Sequence, residues 1–67
     1  MEKRDQLIIK YLVEGFKVNE IRGQLNLHHS IVMSESLVEK RLGNLRKLYK
    51  AKTLFQLAIH LKDEKVI

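Results

Sequence analysis

Lys40, Arg41, Arg46, Lys47, Lys50 and Lys52 crowd into a stretch that holds one acid, Glu39. Elsewhere the charges cancel: residues 1–38 carry five of each sign and residues 53–67 two of each, so the net charge of +5 lies wholly in residues 39–52. Positive charge gathered in one place is what phosphate neutralisation requires, and a nucleic-acid contact is the leading chemistry it suggests. A solvated helix face is the plain alternative for the same run. The other reactive side chains offer less. His28-His29 and His60 could supply imidazoles, but adjacent histidines diverge in most backbones and no carboxylate spacing completes a metal site. No Gly-rich phosphate loop occurs, and nothing in the spacing sets a nucleophile beside a base. No metal, cofactor or small-molecule ligand is expected, and the chain is not expected to be an enzyme.

The elements that must position these residues are helical. Proline is absent, three glycines interrupt the chain, and Leu, Lys, Glu, Arg and Gln dominate. A chain of 67 residues makes one domain, residues 1–67, and buries only about 60% of its unfolded surface. With no cysteine it must stand on its apolar core or on a partner subunit. No apolar run approaches the roughly 20 residues that cross a bilayer, and no secretory signal pattern opens the chain, so a cytoplasmic location off the membrane is expected.

Four helices follow from the periodicity. The first covers Lys3 to Glu14, with Asp5 at its positive dipole end and Gly15 as its stop. The second runs from about Val18 to Leu25, with Ile21 and Leu25 on one face. The third begins at Ser34 as cap with Glu35 in its first turn and continues to about Lys50. The fourth starts after Thr53, carries Leu54, Leu57, Ala58 and Leu61, and leads into a frayed, charged tail.

In the third helix Val38, Leu42, Leu45 and Tyr49 line one face. Ser36, Lys40, Gly43 and Lys47 repeat that spacing two residues earlier, about 200° round the helix, and so oppose it. Glu39, Arg46 and Lys50 flank the polar stripe on one side and Asn44 on the other. A glycine within an exposed helix costs about 1 kcal/mol relative to alanine. Gly43 is therefore either a neutral accident or a point of close approach for another molecule. An amphipathic helix could also lie on an anionic membrane, but this apolar stripe is narrow and lacks Trp. The last helix has more apolar residues than one face can bury, which leaves Phe55 and Ile59 either in an all-round buried helix or in a dimer contact.

Taken in order, these residues resemble the DNA-binding domain of the LuxR/GerE family of bacterial transcription regulators. Arg4-Asp5 looks like the family's Arg-Glu in its first helix, and Glu14-Gly15-Phe16 like its Glu-Gly-Leu turn. Asn19-Glu20-Ile21 with Leu25 and Leu27 is similar to its scaffold helix and the turn after it. Ser34-Glu35, Val38, Leu42, Asn44-Leu45 and Tyr49 track its recognition helix, and Lys52-Thr53 with Gln56 and Ala58 its last helix. The resemblance implies an all-α fold, a small four-helix bundle containing a helix-turn-helix that binds double-stranded DNA as a homodimer through its last helix. Lys40 and Glu39 would then lie nearest to base edges, Lys donating to guanine and Glu accepting from cytosine N4. Lys17, Asn19, Asn44, Lys47 and Lys50 would bind phosphates, Ser36 would share the DNA-facing stripe, and Gly43 would let the helix sit close to the groove.

The chain departs from the family in four places. Leu37 stands where a phosphate-binding threonine is common, Glu39 where lysine is common, and Lys50 where glycine usually follows the recognition helix. Residues His28 to Met33 are inserted between scaffold and recognition helices and lengthen the turn. The insertion is expected to be irregular or briefly helical, with Ile31, Val32 and Met33 packed in it. If it is a loop, its removal should leave a folded domain. The displaced contacts and the extra turn also suit a helix-turn-helix-shaped module that binds a protein partner and not DNA.

Overall fold

The computed structural model describes residues 1–63, and within them four helices pack round one core with no strand. They are α1 (Lys3–Val13), α2 (Val18–His29), α3 (Glu35–Leu48) and α4 (Leu54–Asp63). The expected frayed tail falls on residues 64–67, outside the described part.

Each helix buries the stripe its spacing defines. Ile8, Ile9 and Tyr11 of α1 meet Ile21 and Leu25 of α2, Val38, Leu42 and Leu45 of α3, and Leu57 and Leu61 of α4 in one cluster. Tyr49, assigned to the same stripe, is half-buried against it. The starts of α2, α3 and α4 are held by local side-chain hydrogen bonds. Ser34 Oγ accepts from the Leu37 N–H at 3.1 Å, and Thr53 Oγ1 from the Gln56 N–H at 3.0 Å. The Gln56 side chain in turn accepts from the Lys52 N–H at 2.6 Å, and Glu20 accepts from the Lys17 N–H at 2.8 Å.

Three helix ends turn through left-handed residues: Gly15 (φ 97°), Ser30 (φ 55°) and Lys50 (φ 55°). After Gly15, Phe16 N–H bonds back to the Tyr11 carbonyl at 3.0 Å; after Lys50, Ala51 N–H bonds to that of Arg46 at 2.8 Å. Both satisfy carbonyls the helix end would orphan, and both drop the next apolar residue onto the core. The glycine missing at position 50 is thus missing from a backbone conformation that favours it.

The insertion needs correcting. Helix α2 does not stop near Leu25 but continues through His29, so His28 and His29 form its last turn. Tyr11 Oη and His29 Nε2 lie 3.0 Å apart, and the Tyr11 ring meets the Phe16 and His29 rings edge-on. At Ser30 the chain reverses, Ile31 N–H reaching the Leu25 carbonyl at 3.1 Å. Met33 enters the core at 3% exposure, Ile31 packs against it, and Val32 points away at 86% exposure. Of the three residues expected to pack, Val32 does not. The segment therefore contributes a core side chain, Met33, and an interhelix contact, Tyr11 with His29. The start of α3 lies where the Ser34 cap puts it.

Candidate nucleic-acid interface

The stripe opposite the α3 core face is open. Ser36, Lys40 and Lys47 are exposed, as are Glu39 and Asn44 beside it, while Gly43 is half-buried. The helix ends at Leu48, short of Lys50, which is exposed in the left-handed turn that follows and is not on the helix flank where the periodicity put it. A shallow groove of about 300 Å³ runs along one flank of this face, lined by Val18, Glu39, Leu42, Gly43, Arg46 and Leu54. Val18 opens α2 and Leu54 opens α4, so two helix N-termini border the groove beside Gly43. Lys17 and Asn19, on either side of Val18, are exposed there. Nothing lies within 4 Å of where a Cβ on Gly43 would stand, so packing inside the chain does not require glycine at this position.

Two members of the basic run are committed elsewhere. Arg41 pairs with Glu2 and Asp5 of α1. Arg46 Nη1 donates to the Lys52 carbonyl at 3.0 Å and ties the end of α3 to the turn before α4. The cations left at the surface are Lys40, Lys47, Lys50 and Lys52. Lys52 is the residue that a reading by helical stripe overlooks, since it lies past the end of α3; its place in the basic run was the signal.

Asn44 lies on the opposite flank, between exposed Leu37 and Leu48, and does not border the groove. Phe55 and Ile59 are exposed, at 77% and 43%. They line an apolar groove of about 460 Å³ with Leu12 and Val13 from the end of α1, Phe16 from the turn after it, and Leu54 and Ala58 from α4. The all-round buried α4 is therefore ruled out: Leu57 and Leu61 face the core, and Phe55 and Ile59 do not.

Among the described residues no three His, Asp or Glu side chains converge where they could hold a metal ion, and no helix is long and apolar enough to cross a membrane. No protein-family model matches the chain, and no curated protein or solved structure shows significant similarity to it.

Proposed function

We propose that this chain is a sequence-specific, double-stranded DNA-binding domain of a bacterial transcription regulator, with α3 entering the major groove. One observation carries the reading: α3 presents an exposed polar face with Lys40 and Lys47 directly opposite its core stripe, beside the N-terminus of α2. A major groove about 12 Å wide admits such a helix. Lys40 and Glu39 read base edges, and Lys17, Asn19, Asn44, Lys47 and Lys50 hold phosphates and fix the register. The exposed groove round Phe55 and Ile59 suits self-association of two copies, which would read two half-sites about one DNA turn apart.

Mobility shifts with duplex DNA over a range of salt test this. The wild type should bind with strong salt sensitivity, and replacing Lys40 and Lys47 together with Ala should weaken binding, lower the log–log salt slope by about 0.9 for the Lys47 phosphate contact, and relax sequence preference through Lys40. A slope lower by ~2 would place both side chains on phosphates. Unchanged binding in that double variant would remove the α3 face from consideration. A second reading, a module that docks a protein partner, draws on the same apolar groove and on exposed Val32. It predicts no DNA binding even at low salt.

A further inference from the structure

Among the described residues one charged side chain is buried, Asp5, at 8% exposure. It lies three residues after Glu2, so the two carboxylates share a face of α1. Both meet Arg41, near the middle of α3. Arg41 Nη2 donates to Glu2 Oε2, and Arg41 Nε stands 3.4 Å from Asp5 Oδ1. Neither Asp5 Oδ1 nor Arg41 Nε has a hydrogen-bond partner, so the inner contact is a charge pairing enclosed by packing. Arg41 follows Lys40 by one residue, about 100° round the helix. One of these neighbours is turned to solvent and the other to α1.

A buried ion pair adds little net stability against an apolar replacement, but breaking one partner is costly, so it favours a single geometry. The apolar contacts of Val38, Leu42 and Leu45 are non-directional and do not by themselves fix how far α3 is rotated about its axis. A turn of about 20° moves a side-chain tip 5–6 Å from that axis by roughly 2 Å. That displacement is enough to break a hydrogen bond to a base edge.

We propose that Arg41 is a positioning residue: held by Asp5 and Glu2, it sets the rotation of α3 and hence which side chains reach the bases, without touching DNA itself. The inference rests on the DNA-binding reading above. Asp5→Asn with Arg41→Gln removes the buried charge and its half-buried partner together, so neither is left unpaired, and Glu2, which also loses Arg41, is solvent-exposed. In this variant, helical content should persist and dipolar couplings of the DNA-free protein should show α3 rotated relative to α1 and α4. Discrimination between a selected duplex and random duplex should fall at least about fivefold, the scale of one misplaced base contact. The salt slope should not change. A slope lower by ~0.9 would make Arg41 a phosphate contact and overturn the proposal, as would unchanged orientation with unchanged discrimination. Should the double variant fail to fold, Glu2→Gln alone must reduce discrimination at constant slope, and no effect there refutes the assignment. If the wild type binds no DNA, the function falls, while the couplings still decide whether the clamp orients α3.

Discussion

Replacing Gly43 with Ala should push stability and DNA affinity in opposite directions. Gly43 lies within α3, and no atom comes within 4 Å of the position its Cβ would take. The substitution therefore adds no clash and removes the entropic cost of a helical glycine, a gain of about 0.8–1 kcal/mol. In a domain of this size that corresponds to a rise of about 4–8 °C in Tm. Gly23→Ala in α2 supplies the control, because Gly23 is equally free of neighbours and lies outside the proposed DNA face. Thermal melts by circular dichroism should show both variants stabilised to a similar extent. Duplex binding should weaken for Gly43→Ala alone, since the proposed docking would bring its new methyl against the groove floor. A Gly43→Ala protein that is more stable and binds DNA like the wild type would refute close approach at this residue. A less stable one would refute the packing on which the magnitude rests.

Three further outcomes follow from the fold. The proposed self-association should appear in sedimentation as concentration dependence of the wild type, and Phe55→Asp or Ile59→Asp should abolish it while leaving the monomer helical, since both side chains are exposed; unfolding of the monomer would return them to the core. Met33→Ala should cost about 2–5 kcal/mol in urea titrations, and deleting residues 28–33 should unfold the domain, because Met33 is only 3% exposed; a folded deletion variant would make the segment a loop after all. Ser30→Gly and Lys50→Gly should each stabilise by about 1 kcal/mol, as both positions have left-handed φ near 55°; a loss in either would mean that its side chain contributes more than the backbone strain costs.

Much of the helical layout was legible because it rests on local chemistry. Ser34 and Thr53 cap the helices their positions announce, and the Val38–Leu42–Leu45 spacing defines a face before any partner is known. The end of α2 was not legible. Asn26, Leu27 and two histidines give no strong helix signal, and the turn they form is held by tertiary contacts: Tyr11 against His29, and Met33 in the core. Charge misled in a related way. Arg41 and Lys40 look alike in a count, yet one residue of helical rotation turns the first onto buried Asp5 and the second into solvent. For the candidate site, side-chain type and helical phase identify the exposed face. The groove beside Gly43 depends on how α2 and α4 begin against α3, which no single stretch of sequence encodes.

The short links between helices, residues 14–17, 30–34 and 49–53, have a consequence for how quickly the chain reaches this arrangement. Helical bundles with such local connections fold in microseconds to milliseconds. With no proline among the 67 residues, the slow isomerisation phase of tens of seconds has no source. Synthesis, at about 5–20 residues per second, is then the slower process. The ten residues of α4 take roughly 0.5–2 s to add at that rate, and for that interval a nascent chain lacks Leu57 and Leu61. The buried residues of α1 and α3, the helices against which α4 packs, are then open to chaperones, to proteases and to other nascent chains.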